Sequence, residues 1–257
     1  SEFSCVIVND CSTIKVPEIK LPSNISSLKL INMKKNKGHA RCIASGIKYL
    51  AKKDDFDYLI IMDGDGEDRP EELQSLTKKV FVNPSTSVVA KRIKRSEGPI
   101  FKLLYQAHKM LTIIFTGKNI NFGNYSCLTK SDVKILSDKI SLWSSFSGSV
   151  KKHIGKLNSV NSARGLRYFG PSKMPLFKLI IHSFAIIAVF KNSVFLRSTI
   201  LIILFSYLSL KIDLIFIILQ VLLVIFNLLI YIVSLRENER DFLNFETEIS
   251  SIDNYKH

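Results

Sequence analysis

The chain has 257 residues, of which 47% are hydrophobic and 23% charged, with a formal net charge of +14. This composition leaves ample material for a hydrophobic core. The cysteines are scattered without Cys-x-x-Cys spacing or histidine partners, so the sequence indicates neither a zinc site nor a disulfide framework and favours a reducing, cytosolic location. The positive charge fits nucleic acid, an anionic membrane or a phosphorylated substrate. Because the last third is strongly apolar, we expect a lipid bilayer as partner and no nucleic acid.

The first part of the chain alternates short apolar runs with helical patterns, which predicts an α/β fold. Residues 3–8 and 28–32 have the composition of strands, and residues 36–52 have the periodicity of a helix with one buried face. The N–H groups at the start of that helix attract anions, so Lys37 is a candidate for binding phosphate. A solvated cation at a helix end would give the same pattern.

An apolar run over 58–62 stops abruptly in a group of carboxylates, Asp63-Gly64-Asp65-Gly66-Glu67-Asp68. The run predicts a buried strand, and the two glycines allow a sharp turn directly after it. Asp63 and Asp65 would then both face the crevice at the end of the strand. Together with phosphate oxygens they would form a hard-oxygen site suited to Mg²⁺ or Mn²⁺. A solvated acidic turn that caps the next helix remains an alternative.

The segment after this loop continues the α/β pattern. We predict, in order, a helix over 70–81, a strand over 87–90, a helix over 101–116, a strand over 125–129 and a helix over 131–136. Lys91 and Arg92 belong to a cluster of cations at the end of the second of these elements. They could clamp phosphates or form a solvated patch. Residues 137–163 show no clear pattern.

The C-terminal third predicts membrane association. A helix from 176 to about 190 either lies at the membrane interface or belongs to the core of the soluble domain. The apolar runs 194–210 and 214–234 match a bilayer core of about 30 Å, and their short link predicts a hairpin. Basic flanks place both outer ends in the cytosol. The polar tail 237–257 is expected to be poorly ordered.

Five short motifs occur in order along the chain. They are Val8-Asn9-Asp10-Cys11-Ser12-Thr13, Asn36-x-Gly38-x-Ala40, Met62-Asp63-Gly64-Asp65 followed by Pro70-Glu71, Gly123-Asn124-Tyr125-Ser126, and Arg167-x-x-Gly170-x-Ser172-Lys173. Each motif alone is weak. In this order they resemble the membrane-bound family 2 glycosyltransferases that attach a sugar to polyprenyl phosphate, of the dolichol-phosphate mannose synthase and bactoprenol glucosyltransferase type.

The resemblance implies a GT-A-type nucleotide-binding sheet with flanking helices, in which the family's first strand has no counterpart in this sequence. It places Asp63 and Asp65 at the metal and the reacting diphosphate. With the patterns above, the predicted nucleotide-sugar site comprises Asp10, Asn36, Lys37, Gly38, Asp63, Lys91 and Arg92. The predicted site for the acceptor phosphate comprises Arg164, Arg167, Ser172 and Lys173.

The predicted activity is inverting transfer of a sugar from a nucleotide-diphosphate-sugar to undecaprenyl or dolichyl phosphate, with Mg²⁺ or Mn²⁺ as cofactor. The expected division is a catalytic domain over 1–163, an acceptor segment and juxtamembrane helix over 164–193, a transmembrane hairpin over 194–236 and a polar tail over 237–257. Another lipid or glycan acceptor, or an inactive N-terminally truncated fragment, are the alternatives. A homo-oligomer is compatible with the sequence.

Overall fold

The computed structural model describes residues 2–14, 16, 19–53, 55–94, 99–168, 170, 175–209 and 213–256. The strands are β1 (Ser4–Asn9), β2 (Ser27–Met33), β3 (Tyr58–Ile61), β4 (Val88–Lys94), β5 (Phe122–Thr129), β6 (Asn158–Ala163) and β7 (Ile249–Lys256). The α-helices are α1 (His39–Lys53), α2 (Leu73–Val82), α3 (Pro99–Thr116), α4 (Lys130–Ser137), α5 (Phe146–His153), α6 (Leu176–Ala188), α7 (Lys191–Ser209), α8 (Asp213–Ser234) and α9 (Glu239–Leu243). Short 3₁₀ turns cover Pro70–Glu72, Ile140–Trp143 and Phe245–Glu248. The order of elements up to residue 136 follows the sequence prediction.

The described strands form two sheets, which corrects the expectation of a single sheet. The first sheet has the order β1-β2-β7, with β1 parallel and β7 antiparallel to β2. The second has the order β3-β5-β4-β6, in which β5 runs antiparallel to both of its neighbours and β6 runs parallel to β4. The division arises because, within the described residues, β1 is hydrogen-bonded only to β2 and β3 only to β5.

The helices pack against these sheets, and two apolar cores lie between them. One core joins α1, α4 and α5 to the strands through fully buried side chains such as Ile47, Leu136 and Phe146. A second core lies between α2 and the strands β4 and β5, where Leu76 and Val80 pack against Cys127. The apolar residues of α1 follow the predicted helical spacing, so the buried face was readable from the sequence.

Residues 137–163, which gave no pattern in the sequence, contain α5 and β6. Ser145 caps α5 by accepting a hydrogen bond of 3.2 Å from the backbone N–H of Gly148. Several serines of this region are buried, and two of them, Ser141 and Ser149, share a hydrogen bond of 2.9 Å between their hydroxyl groups. Because of its polar composition, the sequence did not predict that this segment forms part of the core.

The expectation of a poorly ordered tail was wrong. After α8 the chain returns to the first core, where Phe242 is 2% exposed and Phe245 is fully buried. It then forms β7, which pairs with β2 from Ser27↔Lys256 to Met33↔Ile249. The physical reason is that a few aromatic side chains bury enough apolar surface to hold an otherwise polar segment.

The helices α6, α7 and α8 pack together with α3 in a third apolar cluster. The helices α7 and α8 are long and apolar enough to cross a membrane, and only 11% of the apolar stretch of each is buried. The ring of Phe115 on α3 lies 4.6 Å from that of Phe226 on α8. Arg197 of α7 donates a 2.9 Å hydrogen bond to the carbonyl of Ile114. The amphipathic helix α3 is therefore attached to the hairpin, which its sequence alone did not predict.

Candidate functional site

The acidic loop, defined here as residues 62–69, follows the end of β3. The backbone N–H of Asp63 donates to the Asp68 carboxylate at 2.9 Å, and that of Glu67 donates to Asp65 at 3.0 Å. Gly66 has a φ of +91°, a conformation that glycine adopts without strain. These bonds fold the loop back on itself. The carboxylates of Asp65 and Asp68 are therefore held by backbone groups of their own loop.

Asp68 is the buried carboxylate of this loop and is only 5% exposed. Burial raises the pKa of its carboxyl to about 6, and the nearby charge of Asp63 adds to that rise. The hydrogen bond from Asp63 and the positive charges of Arg92 and Arg164 act in the opposite direction. Arg92 of the predicted phosphate clamp is thus close enough to influence the loop electrostatically.

Asn124 of β5 supports Asp63 from the neighbouring strand. Its amide nitrogen donates to Asp63 Oδ1 at 3.0 Å. The β3–β5 ladder ends at the pair Ile61↔Ser126, and continuing the same antiparallel register places Asn124 opposite Asp63. Asn124 belongs to the motif Gly123-Asn124-Tyr125-Ser126, which predicts no role for its side chain. Only the strand register, which the sequence did not supply, reveals the partnership.

Residues 164–168, here called the strap, lie across the acidic loop. The backbone N–H of Gly165 donates to the Glu67 carbonyl at 2.9 Å, and that of Tyr168 donates to the Asp65 carbonyl at 3.0 Å. Arg164 forms an ion pair with Glu67. Arg167 forms ion pairs with both Asp65, at 3.2 Å, and Glu67, at 3.1 Å. The structure therefore joins the predicted acceptor arginines to the predicted metal loop.

Glycines permit the close contact between the strap and the loop. A Cβ atom on Gly165 would lie 2.4 Å from the carbonyl oxygen of Gly66. A Cβ atom on Gly66 would lie 2.9 Å from the ring of Tyr168. A side chain at Gly165 would therefore push the strap away from the backbone of the loop, whereas a side chain at Gly66 would displace the Tyr168 ring.

The predicted nucleotide residues at the start of α1 form a separate group. The Asp10 carboxylate accepts hydrogen bonds from the backbone N–H groups of Lys37, at 2.7 Å, and Gly38, at 2.8 Å. The Asn36 amide donates to the Asp10 carbonyl at 3.2 Å. Lys37 forms an ion pair of 3.0 Å with Glu248 just before β7. The structure thus brings these four residues together and adds a partner from the tail.

The remaining predicted site residues belong to neither of these two groups of contacts. Arg92 packs over Gly123, since a Cβ atom there would meet its guanidinium at 2.4 Å. Lys91 lies on β4, paired in register with Phe122 and Asn161. Ser172 and Lys173 lie outside the described residues.

The loop can be tested for its fit to a divalent cation. No group of three or more His, Cys, Asp or Glu side chains within the described part of the chain is arranged to hold a metal. Asp63 and Asp65 nevertheless supply hard oxygen donors, and Asp65 is 34% exposed on the side chain. Mg²⁺ is commonly held by one or two carboxylates plus substrate phosphates. The residues therefore fit a cation that arrives with a diphosphate, and not a closed site made by protein alone.

Comparison with known proteins agrees with this geometry. Residues 1–143 match the family model described as glycosyl transferase family 2. No curated protein matches the chain. Since the family match spans more than half of the 257 residues, the chain belongs to glycosyl transferase family 2, whose members transfer sugars from nucleotide-sugar donors.

Proposed function

We propose that this family 2 member transfers a sugar from a nucleotide-diphosphate-sugar to polyprenyl phosphate at the cytosolic face of a membrane. One observation carries the proposal. The strap, whose arginines contact the acidic loop, is followed a few residues later by α6 and then by the apolar pair α7 and α8. A donor held at the loop and a lipid phosphate held at the membrane surface would meet at this position.

On the donor side, we assign Asp63 and Asp65 to Mg²⁺ or Mn²⁺ and to the reacting diphosphate. The cation, when bound, supplies positive charge to the departing nucleotide diphosphate. Asn124 holds the carboxylate of Asp63 in place. Asp10 fixes the start of α1, which supports a nucleotide-sugar site formed with Asn36, Lys37, Gly38, Lys91 and Arg92.

On the acceptor side, we assign the phosphate to Arg164 and Arg167 together with Ser172 and Lys173. The planar guanidinium groups can each donate two hydrogen bonds to phosphate oxygens. An anionic phosphate oxygen of the lipid attacks C1 of the sugar, and the bond from C1 to the donor diphosphate breaks with its electron pair. No proton is transferred, so no general base is required. Direct attack inverts the configuration at C1.

The membrane assignment rests on α7 and α8. Both are long and apolar enough to span, and their apolar windows are 11% buried, unlike the helices of a soluble core. Basic residues at the outer ends, including Lys191 and Arg236, support a hairpin with the catalytic domain in the cytosol. In this proposal residues 1–163 carry catalysis, 164–193 the acceptor segment, 194–236 the hairpin and 237–257 the tail.

Cysteine labelling would test this topology. Lys211 lies in the link between the two apolar helices, outside the described residues. The variant Lys211→Cys, made in a background without the exposed Cys11, should react with a membrane-impermeant maleimide added from the side opposite the catalytic domain. A cysteine at Ser250, on the exposed side of the tail, should react only from the catalytic side. Equal labelling of both cysteines from the catalytic side would contradict the hairpin.

Transfer itself can be measured with the full chain in nanodiscs. Undecaprenyl phosphate or dolichyl phosphate would be supplied with a panel of labelled nucleotide sugars, and the product would be extracted into organic solvent. The proposal predicts a labelled lipid that mild acid releases as free sugar, because glycosyl phosphates are acid-labile. A labelled lipid resistant to mild acid would indicate another lipid acceptor. Absence of lipid product with every donor would contradict the proposal.

A further inference from the structure

The inference concerns Arg167 and rests on the function proposed above. We propose that Arg167 is shared between the donor and acceptor sites: it pairs with Asp65 and Glu67 until a divalent cation replaces it, and it then binds the acceptor phosphate. Binding of the metal and binding of the lipid phosphate would consequently favour each other. Glu67 acts in this exchange as a positioning residue that keeps the arginine beside the loop.

The positive charge of Arg167 competes with that of a cation bound to Asp65. Arg167 contacts Asp65 Oδ2 at 3.2 Å, so its guanidinium lies where a cation bound to Asp65 would place its own charge. Two positive charges within a few ångströms repel each other strongly in a partly buried site. A bound cation would therefore weaken the Asp65–Arg167 pair, leaving Arg167 attached to Glu67 only.

The ion pairs between the strap and the acidic loop also differ in how exposed they are. Glu67 is 14% exposed on its side chain and forms ion pairs with both Arg164 and Arg167. Asp65 is 34% exposed, and its carboxylate forms an ion pair with Arg167 and accepts the backbone N–H of Glu67. Exposed pairs contribute little to stability, in the range of roughly 0–1 kcal/mol. The Asp65–Arg167 contact is therefore the one that a ligand can exchange most easily. The strap itself stays on the loop, held by Arg164 and by its two backbone hydrogen bonds.

The consequence is a reciprocal coupling. A cation at Asp65 frees Arg167 to bind the phosphate and so raises the affinity for the phosphate. A phosphate bound to Arg167 must then raise the affinity of Asp65 for the cation by the same factor. This differs from two independent sites that merely lie close together. It predicts that a lipid phosphate raises metal affinity through one identifiable side chain.

The test measures Mn²⁺ affinity from the electron paramagnetic resonance signal of free Mn²⁺. It uses the full chain in nanodiscs at one fixed concentration of a nucleoside diphosphate (UDP or GDP), which supplies the diphosphate oxygens that the cation needs, with and without farnesyl phosphate. In the wild type, farnesyl phosphate should raise Mn²⁺ affinity. Arg167→Gln should bind Mn²⁺ about fivefold more tightly without it, the change expected from removing one exposed ion pair. Its response to farnesyl phosphate should be clearly smaller. Arg167→Lys, which keeps the charge, should bind Mn²⁺ with an affinity close to that of the wild type.

Arg69→Gln is the matched control, because Arg69 is a cation of the same loop that pairs with Glu71, at 3.6 Å, and not with Asp65 or Glu67. It should behave as the wild type. Equal Mn²⁺ affinity and equal response to farnesyl phosphate in the wild type and Arg167→Gln would overturn the exchange, as would absence of Mn²⁺ binding in both. Sugar transfer in the same nanodiscs separates the two proposals: persistent transfer without coupling contradicts only the exchange, and coupling without transfer contradicts only the proposed function.

Discussion

The acidic loop beside the second sheet and the tail that completes the first sheet are held by different kinds of interaction. Asp65 and Glu67 are neutralised by arginines of the strap, through ion pairs that a charged ligand could replace. At the first sheet, β7 pairs with β2, and the preceding Phe242 and Phe245 are buried in an apolar core. The difference suggests that changes at the loop affect transfer with little effect on folding, and that changes at the tail affect folding first.

The largest expected effect is on catalysis, at Asp65. Asp65→Asn removes a charge that would hold the cation near the departing diphosphate, so transfer should fall by about 10²–10³-fold. Stability should change little because the side chain is 34% exposed. Transfer would be measured in nanodiscs and stability as the apparent melting temperature. Asp57→Asn, just before the other end of β3 and exposed, is the control. Normal transfer by Asp65→Asn, or by the wild type in excess chelator, would contradict the metal assignment.

The next largest effect is on stability, at Phe245 of the tail. Truncating a fully buried phenylalanine costs about 3–5 kcal/mol, so Phe245→Ala should lower the melting temperature of the catalytic domain markedly. Leu243→Ala, two residues earlier but 60% exposed, should have almost no effect. If both variants melt like the wild type, the tail does not contribute to the core and the contrast between the two sheets disappears.

These two regions also differ in how far the sequence predicted them. The run before Asp63 and its two glycines predicted the strand and loop, because an apolar run ending in carboxylates depends only on local sequence. The ion pairs of Arg164 and Arg167 with that loop were missed, since they join residues about a hundred positions apart. The phosphate roles assigned to these arginines stay predictions.

The tail was missed for a related reason. Its polar and acidic composition is typical of disorder, and its order depends on two phenylalanines that find a core formed by α1, α4 and α5. Local composition carries no information about such a distant partner. The serine-rich segment around α5 gave no sequence pattern for the same reason, because contacts such as the hydroxyl pair of Ser141 and Ser149 exist only in the folded chain.

A smaller effect is expected at Gly66, where the loop meets the strap. Gly66→Ala places a non-glycine residue at a φ of +91° and a Cβ atom 2.9 Å from the Tyr168 ring, and should cost about 1–3 kcal/mol of local strain. We expect faster hydrogen exchange at the amides of Gly165 and Tyr168, and reduced transfer. Gly64→Ala, whose Cβ atom would meet no atom within 4 Å, is the control. Unchanged exchange in Gly66→Ala would mean that the strap does not rest on the loop.

The smallest effect concerns His182 of α6, which links the catalytic domain to the hairpin. Its ring lies 4.9 Å from that of His39, the first residue of α1, in an edge-to-face arrangement. Burial, with a smaller contribution from the charges of His39, Arg236 and His108, lowers the pKa of His182 to about 4. In the unfolded chain the ring would titrate near its ordinary value of about 6.5. Between those two values the unfolded state binds a proton that the folded state does not.

Stability should therefore fall as the pH is lowered from about 6.5 towards 4, and the contribution of His182 is fully present above 6.5. Because the ring is only partly buried by its accessible surface, we expect about 1–2 kcal/mol between pH 7.5 and 5. His182→Gln has no titrating ring, so its melting temperature should decrease less than that of the wild type over this range. His39→Gln should lie between the two, since it removes one neighbouring charge but leaves the burial. Parallel pH profiles for the wild type and His182→Gln would show that protonation of this ring does not oppose the contact between α6 and α1.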